Sequence, residues 1–411
     1  MKRYICSIII VMVVILSIGT YYVKVASSAS DLPKYTFKKL EGSDKELDPV
    51  IINASLEKGR LYEPLTIESN QTTYGSEKSY FDSLSGRQDL EMERLIKEYR
   101  SFMRGKDFID SFYEDSDFLA YASVNSGYTK SGKMEAEFDI ALLEKKSKDE
   151  TSFDIELPDK DRILNIDVRD VQLIHSKLQV LTIIDVNSND DKQTKEVHLY
   201  TIDLANKKVL SDKTLLSETF KHPNQVELVM PIDVAPIQSN NMILISLVTG
   251  KYHEDGSYEE KPNESKLLSY NYETEKLETV KLPKKEKVSY DMVRGGYVDG
   301  KNLYLIEMKS DNYHIKTFDL SSQTITNDLV LDLAVHKDEQ YFATVKNGKV
   351  YILLGNDRYP EEMDYKTKPP RLLIADLKTG KTLYKGETVI QSAEQKKTKN
   401  LGFYVENIEV K

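Results

Sequence analysis

Near the C-terminus the chain reads RLLIADLKTGKTLYKGE, Arg371 to Glu387, and two local structures compete for it. Its centre, ADLKTGKT, is one residue short of the phosphate-cradling loop G-x-x-x-x-G-K-S/T. Ala375 stands where the first glycine belongs, and Gly380, Lys381 and Thr382 complete the pattern. A phosphate loop must open a helix whose first amides hold the phosphates. The residues after Lys381 are instead TLYKGETVI, rich in β-branched and aromatic side chains and interrupted by a glycine, and they read as strand. The stretch is therefore a strand, a turn and a strand, with Gly380 supplying the positive φ that the turn needs.

The same unit recurs upstream as EFDIALLEKKSKDETSFDIEL from Glu137, EVHLYTIDLANKKVLSD from Glu196, KLLSYNYETEKLETVKL from Lys266 and HIKTFDLSSQTITNDLV from His314. None of these turns carries G-K-T, which removes the nucleotide reading. With Asp203, Asn271, Asp319 and Asp376 taken as equivalent, the repeats are 68, 48 and 57 residues apart, a variation that surface loops absorb. Each unit follows an apolar strand: FLAYASV from Phe118, KLQVLTIIDV from Lys177, NMILISLV from Asn241, KNLYLIEM from Lys301 and KVYILLG from Lys349. Short candidates for inner strands lie further upstream, namely DVRDVQLIH from Asp167, DVAPIQ from Asp233, RGGYV from Arg294 and QYFATV from Gln340.

Four strands in about 50 to 65 residues is the length of a propeller blade. One such sheet cannot bury both of its faces, so neighbours must stack. The expected fold is all-β, a propeller of about six four-stranded blades, with five or seven as the alternatives. Segments 1–30, 31–114 and 115–411 form the expected divisions. VIINASL from Val50 and PLTIES from Pro64 are strand-like, and pairing them with the C-terminal LGFYVENIEVK in a shared blade would close the ring and remove free edges. An independent N-terminal module ending near Glu114 is the alternative. The strand-turn-strand repeat over about Ser116 to Val389 resembles the quinoprotein-like repeats of exported bacterial β-propellers. The chain lacks the tryptophans of those repeats, so no quinone cofactor is expected.

Composition narrows the function. A formal charge of -10 over 411 residues argues against nucleic acid, which needs a basic surface. Lys2 and Arg3 precede a mostly apolar run from Ile5 to Val23, long enough at about 1.5 Å per helical residue to cross the roughly 30 Å hydrocarbon layer. The body is then extracytoplasmic, held either by an uncleaved anchor at the cell membrane or secreted after cleavage near Ala29. Cys6 is the only cysteine and lies inside that run, so the body carries no disulfide or thiol chemistry. Between Ser85 and Gly105, Met92, Leu95, Ile96, Tyr99, Phe102 and Met103 fall on one helical face, with Ser85 and Gln88 as a capping box. Arg94, Lys97, Arg100 and Arg104 fall on the other face.

Six scattered histidines show no zinc spacing, and no G-x-S-x-G elbow occurs. The richest chemistry lies in the long acidic loops between second and third strands. They combine Asp190, Asp191, Glu254, Asp255, Glu361, Glu362 and Asp364 with Tyr252, Tyr258 and Tyr359. Such rings stack on sugar faces or peptide bonds while the acids accept hydrogen bonds. No cofactor is expected, although the same oxygens suit Ca2+. Plain solvated turns are the alternative. The expected function is a membrane-anchored binding module for an envelope polymer or a protein partner. A propeller hydrolase acting on a glycan or lactone, and a sensor or accessory subunit of a membrane complex, are the rivals.

Overall fold

The computed structural model describes residues 32–58, 61–69, 71–77, 89–128, 130, 134–187, 192–221, 224–253, 258–260, 265–283, 290–309, 312–334, 339–356, 369–391 and 402–411, with scattered positions between 10 and 20. The chain divides into two compact units, one of Met1–Leu90, Met308–Tyr313 and Leu329–Lys411, the other of Glu91–Glu307 and His314–Asp328.

The first unit opens with β1 (Tyr35–Gly42) and the meander β2 (Val50–Lys58), β3 (Leu61–Glu68) and β4 (Gln71–Tyr74). Helix α1 (Leu90–Glu98) leads into the second unit and β5 (Phe112–Glu114), β6 (Phe118–Tyr128), β7 (Met134–Glu144) and β8 (Asp149–Glu156). A second meander is β9 (Ile163–Ile174), β10 (Lys177–Asn187), β11 (Lys192–Asp203) and β12 (Lys208–Lys221). Then come β13 (Asn224–Val229), β14 (Ile232–Asp233), β15 (Met242–Tyr252), β16 (Tyr258–Glu260), β17 (Lys266–Asn271) and β18 (Lys276–Val280). Helix α2 (Tyr290–Arg294) precedes β19 (Tyr297–Asp299), β20 (Asn302–Lys309), β21 (Asn312–Asp319) and β22 (Thr324–Leu331). The chain ends with β23 (Glu339–Lys346), β24 (Lys349–Asn356), β25 (Arg371–Asp376), β26 (Thr382–Ile390) and β27 (Gly402–Val410).

Among the described residues these strands form six sheets, each built on a four-stranded meander of the blade type. Four orders are uninterrupted: β5-β6-β7-β8, β9-β10-β11-β12, β13-β15-β17-β18 with β16 added on β15, and β23-β24-β25-β26 with β1 added on β26. β14 joins β19-β20-β21-β22, and β27 completes β2-β3-β4 by pairing antiparallel with β2 from Val50↔Val410 to Glu57↔Gly402. All five repeated hairpins and the five apolar strands before them are present as strands.

Burial explains the sequence pattern. Central strands lie between packed faces and are apolar almost throughout: Leu372, Leu373, Ile374 and Ala375 of β25 are all buried. Outer strands have one wet face, so β22 alternates exposed and half-buried positions along TITNDLVL. In the second unit, Phe138 and Ile140 pack with Val180 and Tyr200, Leu181 and Val197 with Ile245 and Tyr270, and Leu244 and Leu267 with Leu303 and Phe318. In the first unit, Ile52, Leu56 and Val405 pack with Leu353, Leu372 and Tyr384. Successive sheets within each unit thus share one core.

Two expectations need correction. DVAPIQ is not the inner strand of its sheet; Asn224–Val229 is, and Ile232–Asp233 instead pairs parallel with β19 of the next sheet. Pro236 lacks the N–H that a ladder strand needs, and Asp233 accepts from the Ala235 N–H to turn the chain. The helix is also shorter than 85–105: it spans Leu90–Glu98 and unwinds through turns to Gly105 at φ 74. Its apolar face holds, with Met92, Leu95, Phe102 and Met103 buried against Phe112 and Tyr121. The capping pair Ser85 and Gln88 lies outside the described residues. Arg94 is no free surface cation, since it binds Glu91, Glu98 and, on β5, Glu114.

Candidate functional site

Register fixes which loops share an end. In the β9–β12 sheet, Lys177 lies opposite both Ile174 and Asp203, whereas Asn187 lies opposite Gln193. The aspartate hairpin and the first turn are therefore at one end, and the loop between second and third strands is at the other. Two bonds carry this polarity across the second unit. The Tyr128 hydroxyl at the far end of β6 donates to Leu164 O at 3.3 Å, and Lys266 at the start of β17 pairs with Glu218 of β12 at 3.2 Å. The loops after β6, β10 and β15 therefore all leave from the same end.

At that end Tyr252 and Tyr258 lie directly opposite one another in the β15–β16 pair. The other nominated residues, Asp190, Asp191, Glu254, Asp255, Tyr359, Glu361, Glu362 and Asp364, lie outside the described residues. The loop bearing the last four joins β24 to β25, at the end of its sheet remote from the Asp376 hairpin.

Within their sheets, the hairpins between third and fourth strands share one construction. The carboxylate of Asp203 accepts from the Ala205 and Asn206 amides, Asp319 from Ser321 and Ser322, and Asp376 from the Thr379 amide and hydroxyl. Asn271 accepts from the Thr274 amide in the same way. These bonds hold the carboxylates below their usual range: Asp203 chiefly through the Asn206 side chain, Asp376 through the Thr379 hydroxyl, and Asp319 down to about 2 through the Ser322 amide. The Gly380 N–H closes the turn on Asp376 O at 2.8 Å. ADLKTGKT is thus a capped hairpin turn followed by strand, as its sequence indicates.

Two buried polar clusters were not singled out in the sequence. Asp170 on β9, 8% exposed, accepts from the Tyr272 hydroxyl at 2.5 Å and from Gln172 Nε2 at 3.0 Å. Gln172 Oε1 in turn accepts from the Asn240 amide, and Asn240 Nδ2 donates to Asp233. Burial outweighs these bonds and pushes the Asp170 carboxyl up to about 6. Asp233 is also raised, by burial and by the charge of Asp299. The second cluster centres on His198 of β11, whose Nδ1 lies 2.6 Å from Asp212 and whose Nε2 lies 2.9 Å from Glu196. Glu196 also binds Arg162 at 2.6 Å and the Ser217 hydroxyl at 3.0 Å. Burial alone would lower the imidazole pKa, but the two carboxylates outweigh it and raise it. The available signal was a pair of polar residues at i and i+2 inside an apolar strand, Asp170 and Gln172 in DVQLI and Glu196 and His198 in EVHLY.

Among the described residues no group of three His, Cys, Asp or Glu side chains is arranged to hold a metal ion. Among the same residues no helix is long and apolar enough to cross a membrane; Ile10, Met12, Val13, Val14 and Leu16, inside the apolar run, are helical and exposed. No family model and no curated protein matches the chain. Among solved structures it is similar to the polysaccharide lyase Uly1, with TM-score 0.40, 10% identity, and 65% of this chain and 57% of that chain covered. It is also similar to one of two prolyl endopeptidases, with TM-score 0.36, 11% identity, and 85% and 50% covered. The Dos1 propeller matches with TM-score 0.24, 8% identity, and 66% and 72% covered. The chain spans 57% and 50% of the first two.

Proposed function

We propose that the chain is a membrane-anchored, extracytoplasmic β-propeller whose six sheets are its blades, and that it is a binding module for an envelope polymer or a protein partner. The observation that carries this reading is the shared polarity of the loops after β6, β10 and β15. It supports a binding end to which the acidic and tyrosine-rich loops would contribute, Tyr252 being paired with Tyr258 in the ladder there. Asp170 and His198, two of the ionisable groups that burial perturbs, are engaged by neighbouring side chains on both polar atoms, as suits a scaffold. Residues 5–23 would anchor the chain, cleavage near Ala29 being the alternative, and Ca2+ is the ion the loops would take.

The test uses a body of residues 31–411 titrated with solubilised envelope polymer, with and without a chelator. Saturable binding weakened about 5- to 150-fold by the Tyr252→Ala, Tyr258→Ala pair is expected, since loss of two stacking rings removes roughly 1 to 3 kcal/mol. Hydrolysis of a glycan or lactone at an ordinary enzymatic rate would overturn the reading in favour of a hydrolase. One observation favours that rival, the raised Asp170 carboxyl linked through Gln172 and Asn240 to Asp233. Asp170→Asn would then abolish turnover.

A further inference from the structure

The inner strands of the second unit do not cover their neighbours equally. β9 pairs with β10 over almost its whole length, from Ile174↔Lys177 to Ile163↔Val186. β5 reaches only Leu119, Ala120 and Tyr121 of β6, whereas β7 pairs with all 11 residues of β6, from Phe118↔Glu144 to Tyr128↔Met134. Two bonds at the start of β6 fix which side each residue serves. The Asp115 N–H donates to Phe118 O at 3.0 Å, so even-numbered residues of β6 turn their backbone groups toward β5; the Lys145 N–H donates to Asp117 O at 2.8 Å, so odd-numbered ones turn toward β7. The N–H and C=O groups of Val124, Ser126 and Tyr128 therefore face the side that β5 does not reach, and among the described residues no strand pairs with them there. Asn125 to Tyr128 are exposed.

A free strand edge invites pairing, and folds ordinarily guard it with charges, proline or a bulge. β8, the other edge of the same sheet, carries Asp149, Glu150, Asp154 and Glu156. β6 holds no charged residue and no proline, and its register with β7 runs without a bulge. Val124, Ser126 and Tyr128 each present one donor and one acceptor at intervals of about 7 Å, a spacing that an extended polypeptide repeats. We infer that the inner edge of β6 from Val124 to Tyr128 takes an extended segment of another protein as an added strand. Flanking side chains define the segment. Tyr128 and Leu164 are 64% and 50% exposed, and the Tyr128 hydroxyl donates to Leu164 O, so one face of the edge offers apolar surface. On the other face Asn125 and Gly127 lie opposite exposed Glu137 and Glu135, and a Cβ on Gly127 would meet nothing within 4 Å. A lysine or arginine of the added strand would reach over Gly127 toward Glu135. The partner segment thus alternates apolar and basic residues. The inference rests on the reading of the chain as a binding module and chooses a protein over a polymer as what is bound.

The probe is a dye-labelled hexapeptide of alternating valine and lysine, titrated against the full chain by fluorescence polarisation. Saturable binding is expected, with hydrogen exchange slowed at the Val124, Ser126 and Tyr128 amides and unchanged at Asn125 and Gly127, which face β7. Ser126→Pro deletes an edge donor without touching the β6–β7 ladder and should weaken binding about tenfold. Tyr128→Ala repeats the comparison should Ser126→Pro fail to keep the parent melting temperature. Methylating the backbone nitrogens of the peptide should abolish binding, and a valine–glutamate peptide should bind about tenfold more weakly. Binding that survives methylation, or edge amides that already exchange slowly in the free chain, overturns the inference. So does a mass that grows with the chain's own concentration and is lost in Ser126→Pro, which gives the edge to a second copy. If the peptide fails to bind while solubilised envelope polymer binds, the inference alone falls; if neither binds, the binding-module reading falls with it.

Discussion

At the scale of the residue, Gly380 is one member of a set. Lys148, Lys207, Glu275 and Gln323 hold the same place in the other four hairpins, each with φ between 52 and 63, against 71 for Gly380. Four of the five turns therefore carry the steric cost of a left-handed non-glycine residue, roughly 1 kcal/mol. A methyl added at Gly380 would also meet Leu329 at 3.1 Å. Gly380→Ala should destabilise by about 1 kcal/mol, while Lys207→Gly should be neutral or stabilise by up to about 0.5 kcal/mol, the gain in φ offset by backbone entropy. Chemical denaturation of the two variants measures both. Lys381→Ala should leave stability within about 0.5 kcal/mol, and calorimetry with Mg-ATP should detect no heat of binding in parent or variant.

Asp170 gives a pH signature at the same scale. Its folded pKa of about 6 lies above the unfolded value, near 3.9. The folded state thus holds the proton longer, and the contribution is complete below pH 4 and lost as pH rises through 6. The loss amounts to about 3 kcal/mol. Asp170→Asn should remove that slope, so that the variant gains on the parent between pH 4 and 8. Unfolding midpoints across that range would show a constant difference if the carboxyl titrates normally.

At the scale of the element, β11 and β12 hold a charged layer inside the fold. His198 faces Glu196 and Asp212, with Arg162 at 3.5 Å, Thr214 at 3.3 Å and the Tyr200 ring stacked at 5.9 Å. Because the folded pKa is raised, the ion pairs stabilise fully below about pH 6.5 and fade as pH climbs through the higher folded value. His198→Gln should therefore cost most near pH 6, about 1 to 3 kcal/mol, and less at pH 9. A variant-to-parent gap that does not change between those pH values would contradict this account.

Strands and hairpins were legible because they rest on local rules: Asp376 and Gly380 mark their turn, and LLIA in β25 has the apolar run of a doubly covered strand. The Asp170 and His198 clusters were not, because their partners Tyr272, in the turn after β17, and Asp212, on β12, are 102 and 14 residues away in sequence. DVAPIQ misled because its alternation is that of a strand while Pro236 and the Asp233 turn break the ladder. The nominated loop acids follow no local rule at all; composition alone singled them out.

At the scale of the molecule, the described termini are built into the first unit. β27 completes the sheet of β2–β4, and β1 covers the outer edge of β26, which would otherwise expose the N–H and C=O groups of its outer side. A body beginning at residue 32 should keep the parent stability. One beginning at residue 43 loses Tyr35, whose burial is worth about 2 kcal/mol, and removes the Pro33 and Tyr35 groups that the Tyr74 hydroxyl and Thr72 Oγ1 bond, at about 1 to 3 kcal/mol for those lost bonds. The shorter body should therefore unfold about 3 to 5 kcal/mol more easily and associate through its bared edge, which light scattering would register as concentration-dependent growth. Equal midpoints and a monodisperse shorter body would mean that β1 is an appendage. A lowered midpoint would instead make β1 a structural strap that closes the outer edge of β26 through the ladder of backbone bonds between the two strands.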